Sequence, residues 1–295
     1  MFHDVRDLEC TKFPERYKLK SFLSKEAFEK RIDYIAQNYE VISSEQALQV
    51  DLKKGNHKYA VLTFDDGLLD HYYVYNYLRQ RGLTATFFVP VEAVFHNKIV
   101  HSHKIQFILA AVEEKKLVDD ILSNFNNRDE LWDRYSKTAW KDNWWTKEMV
   151  FVTNFLRKHN EHGFSCKDCA DILFRRYVSD DEAAFCKDLY LAKEHVEEIA
   201  NSNFTIGGHG YTSNNLLLER DFDFDIREST KVIKQYADFL CFSYPHGGFN
   251  EQIKQSLVSN GYSLSYTVNQ FTVTELDILD PMEFPRYDAP QRILL

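Results

Sequence analysis

Apolar residues recur along this chain with two different periods, and each change of period marks a change of element. Between Ser24 and Tyr39, Phe28, Ile32 and Ile35 return every three or four positions behind an early Glu26, which predicts an amphipathic helix opening at Ser24. Glu40-Val41-Ile42 follows as a short strand, and Ser43 or Ser44 caps a helical turn over Glu45-Gln46-Ala47-Leu48. Tyr59-Ala60-Val61-Leu62-Thr63-Phe64 is apolar for a strand's length and stops at Asp65-Asp66-Gly67. A helical pattern over 68–81 ends at Gly82, and a third strand occupies Thr84 to Val89. Strands and helices alternating at this spacing predict an α/β fold.

The rhythm breaks at about residues 100–200. Lys104 to Glu114 carries Ile105, Ile108, Leu109 and Val112 on one helical face, and Lys141 to His159 carries Trp144, Trp145, Met149, Val152, Phe155 and Leu156 on another. No strand pattern is visible there, so the tract reads as a helical insertion forming a lid or side wall. His159, His162, Cys166 and Cys169 have zinc-ligand types at close spacing. A capping box from Ser165 to Asp168, opening a helix with Cys169, Ile172, Leu173 and Tyr177 on its packed side, accounts for them better. Strands return at Phe204-Thr205-Ile206-Gly207-Gly208, at Phe239 to Ser243 and at Ser263 to Val268, with Asn250 capping a helix that runs to Gly261.

Two adjacent carboxylates at the end of an apolar strand repel unless something binds them, and a metal on one would give the pair different roles. The plain alternative is that Asp66 caps the following helix. A net charge of −9 argues against nucleic-acid or anionic-membrane partners, and no segment approaches a membrane span. Hydrophobic residues make up 44% of the chain, with 23 Phe and 17 Tyr, enough for a large core. Five cysteines without disulfide spacing and an opening Met1-Phe2-His3-Asp4-Val5 without leader character give the expectation of a cytoplasmic protein with no stable membrane insertion.

Thr63-Phe64-Asp65-Asp66-Gly67, Asp70 and Thr84-Ala85-Thr86-Phe87-Phe88-Val89-Pro90 together resemble the polysaccharide deacetylase superfamily (NodB homology, carbohydrate esterase family 4). The resemblance covers most of the chain outside 100–200. It implies an irregular (β/α) barrel of about seven strands, a single domain over 1–295 with the helical insertion, and a metal-dependent hydrolase removing an N-acetyl group from an amino sugar. By the same resemblance Asp65 is the catalytic base and Asp66 a metal ligand. Gly207-Gly208-His209-Gly210-Tyr211-Thr212-Ser213 resembles the second motif, with His209 as the next ligand. The family's second histidine falls on Ser213, a poor zinc ligand, so Ser213 enters the ligand set as its departure from the pattern. Met1-Phe2-His3 looks like the opening strand of the permuted branch associated with surface-glycan biosynthesis, which makes His3 the general acid.

Phe242-Ser243-Tyr244-Pro245-His246-Gly247 resembles the third motif, giving Tyr244, Pro245 and His246 as one groove wall, with His246 where an aromatic is usual and Ser243 where many members have Arg. His101-Ser102-His103-Lys104-Ile105 and Glu283-Phe284-Pro285-Arg286-Tyr287 look like segments of the same branch. They add His103 as a substrate contact, and Arg286 to orient a carboxylate or bind substrate. Trp140, Trp144 and Trp145 then either pack in the core or stack on sugar. The implied cofactor is a divalent metal, zinc first, with cobalt, nickel or manganese as alternatives, and the partner is an acetylated amino sugar on a nucleotide- or lipid-linked precursor. A deformylase, O-acetyl esterase or amidase on the same fold stays open, as does a catalytically weak carbohydrate-binding protein, for which Ser213 speaks.

Overall fold

In a computed structural model of the protein, residues 1–7, 22–50, 58–137, 145–158, 160–161, 164–270, 272 and 280–289 are described. They form two compact units, one of residues 1–7, 22–98 and 186–289, the other of Ile99–Phe185.

The first unit is built on a parallel sheet of β1 (Thr63–Phe64), β2 (Thr86–Val89), β3 (Thr205–Gly208), β4 (Cys241–Ser243) and β5 (Leu264–Tyr266), in the spatial order β5-β4-β3-β2-β1. All four residues of β2 are buried, as a parallel strand covered on both faces requires. Beside it, Gly207 of β3 has no room for a side chain, since a Cβ there would lie 2.5 Å from the Phe88 ring. Sequence reasoning expects about seven strands; among the described residues Asp4–Val5 with Phe22–Leu23 and Glu40–Val41 with Tyr59–Ala60 form separate parallel pairs, and the continuous ladder has five. Its flanks are single bridges, Phe2 to Phe64 and Tyr266 to Phe284, because each edge segment touches the sheet at one residue before turning away. The flanks also bond to each other: the Met1 nitrogen donates to the Tyr287 carbonyl at 2.8 Å and the Ala289 nitrogen to the Met1 carbonyl at 2.9 Å. Those bonds curl the sheet toward closure and satisfy edge groups that would otherwise be open.

Helix α1 (Lys25–Asn38) starts where the periodicity places it, with the Ser24 hydroxyl accepting from the Ala27 nitrogen. It buries Phe28 and Ile32, and the Phe28 ring meets Phe2 and Phe64 edge-on at 5.6 and 6.1 Å. Ser43, rather than Ser44, caps the next helical turn with a full capping box. Helix α2 (Asp70–Gln80) begins four residues after Asp66, so Asp66 is not its cap. Its buried residues are His71, Val74, Tyr75, Tyr77 and Leu78. Helix α3 (Val91–His96) follows β2 directly.

The second unit is helical, and Ile105, Ile108, Leu117, Ile121, Phe151 and Phe155 lie in its core. Two expectations fail here. Asn160–Glu161 pairs antiparallel with Phe164–Ser165, too short a ribbon to leave a period-two signature. Ile172 is 46% exposed, while Cys169, Ala170, Leu173 and Phe174 form the buried stripe of the helix opened by the Ser165 capping box. Cys166 and Cys169 are buried there, and burial pushes the Cys169 thiol up to about 12, the behaviour of packing cysteines. Trp140, Trp144, His159 and His162 lie outside the described residues. Among the described residues no helix is long and apolar enough to cross a membrane.

Candidate active site

The end of β1 carries a buried polar cluster. Asp66 and Gly67 both take left-handed backbone, φ +78° and +58°, and a Cβ at Gly67 would sit 2.9 Å from Val94, so the turn demands glycine there. This turn leaves the Asp65 carboxylate inside, 2% exposed. Arg286 meets it as a fork, Nη1 to Oδ1 at 2.8 Å and Nη2 to Oδ2 at 2.9 Å. The Ser243 hydroxyl donates to Asp65 Oδ2 at 3.1 Å and accepts from Arg286 Nη2 at 2.8 Å, while Arg286 Nε donates to the Thr267 carbonyl at 3.1 Å. Burial alone would raise the Asp65 carboxyl. The charges of Arg286, His209 and His3, with the Arg286 hydrogen bonds, outweigh it and hold the group at about 2. Asp65 is therefore an ionised, oriented carboxylate at any working pH.

His209, at the end of β3, is 4% exposed. Its Nδ1 donates to the Ser243 carbonyl at 2.9 Å, which assigns the proton to Nδ1 in the neutral ring and leaves the Nε2 lone pair facing Asp66 Oδ1, 3.4 Å away. Burial works to lower the pKa of His209, but Asp66 and Asp65 raise it on balance. Asp66 and His209 thus face each other as two groups of the types that bind zinc, and the ring is held from behind by a carbonyl so that Nε2, once unprotonated, is the atom left to ligate. The set stops at two: among the described residues no three His, Cys, Asp or Glu side chains are grouped to hold a metal ion. Ser213 is buried with φ +58°. Of the four non-glycine residues with positive φ among the described residues, three are Asp66, Ser213 and His246, which places local backbone strain at the positions under discussion.

The loop from His209 to Ser213 is clamped on both sides. Asp225, buried on helix α4 (Phe222–Ile233), accepts from the Tyr211 nitrogen at 2.7 Å, the Thr212 nitrogen at 3.0 Å and the Thr212 hydroxyl at 2.8 Å. The first turn of α3 donates to the same loop, Val91 to the Gly210 carbonyl and Glu92 to that of Tyr211. Sequence reasoning marks neither Asp225 nor Ser243 as a site residue. Each left a faint signal: Ser243 is the one hydroxyl ending the apolar run Phe239 to Phe242, and Asp225 is an acid on the packed stripe of its helix, beside Ile226 and Ser229.

The other expected positions divide. His3 follows the Phe2 bridge, where the Phe2 nitrogen donates to the Thr63 carbonyl and the Asp65 nitrogen to the Phe2 carbonyl, so its charge acts on Asp65. Arg286, expected as a substrate contact or an orienter of a carboxylate, spends its donors on Asp65, Ser243, Thr63 and Thr267, so it orients and does not reach out. Tyr244 is 1% exposed, donates its hydroxyl to the Met282 carbonyl at 3.0 Å and stacks on Phe249, so its ring belongs to the core and not to a groove wall. Pro245 is buried and His246 exposed. His103 belongs to the second unit, buried on the helix His101–Ala111.

No protein-family model matches the chain, and no curated protein matches its sequence. Solved structures match its fold. It is similar to a polysaccharide deacetylase from Bacillus cereus, with TM-score 0.55 and 13% identity over 98% of this chain and 63% of that one. The chain thus spans somewhat under two thirds of that protein's length. It is also similar to the deacetylase PplD of Streptococcus pyogenes in complex with acetate, with TM-score 0.56 and 12% identity over 98% of this chain and 89% of that one. A third likeness is to IcaB from Ammonifex degensii, with TM-score 0.53 and 16% identity over 97% of this chain and 88% of that one. The chain has the polysaccharide-deacetylase fold; its chemistry has to be argued from its own residues.

Proposed function

We propose that this protein is a carbohydrate deacetylase that hydrolyses the N-acetyl group of an amino sugar, releasing acetate and a free amine. One observation carries the reading: a buried, ionised Asp65 locked by Arg286 stands beside the facing pair Asp66 and His209, at strand ends of a parallel sheet. Strand ends of parallel sheets are where α/β folds set their chemistry. The fold is shared with deacetylases, one of them in complex with acetate.

Asp66 and His209 would hold a divalent cation, zinc by preference or else cobalt, nickel or manganese. Bound there, the ion would supply Lewis acidity, polarising the acyl carbonyl and acidifying a water enough for a carboxylate as weakly basic as Asp65 to take its proton. Asp65 accepts that proton, and its fork to Arg286 fixes which oxygen lone pairs face the water. His3 donates a proton to the departing nitrogen, so that the amine leaves neutral.

The test is incubation with N-acetylglucosamine oligosaccharides and zinc or cobalt, following acetate and free amine together. Equal amounts of both support the reading. Acetate without amine points to an O-acetyl esterase and formate to a deformylase. Sugar binding without turnover at any metal loading leaves a carbohydrate-binding protein, the alternative for which Ser213 speaks.

Replacing His3 should separate chemistry from binding. We expect His3→Ala to lower kcat by about 10² to 10⁴ with KM nearly unchanged, measured by the acetate assay. Full activity across the pH profile would remove His3 from the mechanism and make the exposed His246 the next candidate.

A further inference from the structure

His71 is a costly residue for the place it occupies. Its ring is fully buried on α2, 5.6 Å from the Phe64 ring centroid and 5.7 Å from that of Phe87, and Nδ1 is buried without a hydrogen-bond partner. A leucine there would bury apolar surface and orphan no polar atom. Burial lowers its pKa to about 4, against a hydrogen bond to His3 and the charges of Asp66 and Asp4, so the ring is neutral and carries one proton. That proton is on Nε2, which lies 3.1 Å from the His3 carbonyl oxygen, an atom that can only accept.

What the bond holds is specific. His3 falls between the Phe2 bridge and the short strand Asp4–Val5, so its carbonyl lies in a gap between two sheet pairings. Upstream, Phe2 is tied to Thr63 and Asp65, and its ring stacks on Phe64 at 5.0 Å. Downstream, Arg6 grips the residue before His71, with Nε 2.7 Å from Asp70 Oδ2 and Nη2 2.6 Å from Oδ1. Neighbouring residues at the start of α2 therefore pin both His3 and Arg6.

We propose that His71 is a positioning residue for His3: by fixing the His3 main chain it aims the imidazole at the end of β1, where Asp65 and Asp66 stand. The proposal rests on the reading of His3 as the general acid. A proton donor has to be within hydrogen-bond reach of the leaving group, and displacement by about 1 Å costs up to roughly a hundredfold in rate.

The experiment compares His71→Leu, which removes the donor at similar volume, with His71→Gln, whose amide nitrogen can reach the same carbonyl. His71→Met replaces the leucine variant should that one not fold. We expect His71→Leu to lose on the order of tenfold in kcat with KM unchanged, His71→Gln to recover most of it, and His71→Leu to cost nothing further in a His3→Ala background. The same loss in both backgrounds, or a lower Tm with kcat intact, overturns the proposal and leaves His71 a packing residue. A second arm needs no activity and no metal. In protein labelled with ¹⁵N-histidine, the His3 ring signals, identified by their absence in His3→Ala, should move in His71→Leu and hold in His71→Gln. Unmoved His3 signals in His71→Leu overturn the proposal whatever the assay gives. Full activity of His3→Ala, by contrast, defeats only the acid role, and the moved signals would still establish the grip.

Discussion

Asp65→Asn should abolish turnover and unfold the protein more easily at the same time. The loss of turnover follows from the loss of a proton acceptor, a factor of about 10² to 10⁴. The loss of stability follows from the fork: the variant leaves the Arg286 guanidinium buried, 5% exposed, without its counter-charge. Breaking one side of a buried ion pair costs about 3–5 kcal/mol, which urea unfolding would register. Replacing both partners, Asp65→Leu with Arg286→Met, should restore stability and not turnover, because no orphaned charge then remains. If the single variant keeps activity, Asp65 is a structural anion and the base lies elsewhere.

The acid side of the stability curve offers an independent check. Asp65 has its ordinary value of 3.8 when unfolded and about 2 when folded, so its contribution is fully present above about 3.8 and is lost as the pH falls through 2. The gap is worth about 2 kcal/mol. The difference in unfolding free energy between wild type and Asp65→Asn should be flat near neutrality and shrink over that acid window. A difference that stays constant down to pH 2 would mean that Asp65 is not held ionised by Arg286.

The second large effect is on metal. Asn tolerates the left-handed backbone of Asp66, φ +78°, as well as Asp does, so Asp66→Asn should leave the turn intact while removing the anionic donor facing His209 Nε2. We expect zinc affinity, measured by calorimetry, to fall by more than the roughly 10- to 100-fold that loss of an outer-shell partner costs, and activity to go with it. Asp65→Asn should retain its zinc. Equal losses in the two variants would overturn the division of roles between the neighbouring aspartates. The opposite change, Ser213→His, adds a third donor, the second nitrogen, at a position whose φ of +58° a histidine accepts, and should tighten zinc binding. No gain would show that Ser213 does not face the Asp66 and His209 pair.

Much of the local structure follows from short-range rules that the chain states openly. Ser24, Ser43, Ser165 and Asn250 each accept from a backbone nitrogen three residues on, because capping needs only a hydroxyl or amide at the right offset from an amphipathic run. The apolar strand ending in Asp65-Asp66-Gly67 is legible for the same reason: burial demands the apolar residues and a left-handed turn demands the glycine. The position of His209 at the end of a glycine-bearing strand is likewise written locally.

The electrostatics of the site are not local. Arg286 reaches Asp65 across 221 residues and Ser243 reaches it across 178, because the parallel register brings the ends of β1 and β4 and the closing segment to one place. That meeting decides which partner Asp65 has, and hence its pKa. It also spends the guanidinium that sequence reasoning offered to substrate and turns Tyr244 into the core. Sequence periodicity carries no information on which strand lies beside which, so the residue types of the site could be read from the chain, while their pairing, protonation and accessibility were settled by the curl of the sheet that joins Met1 to Tyr287.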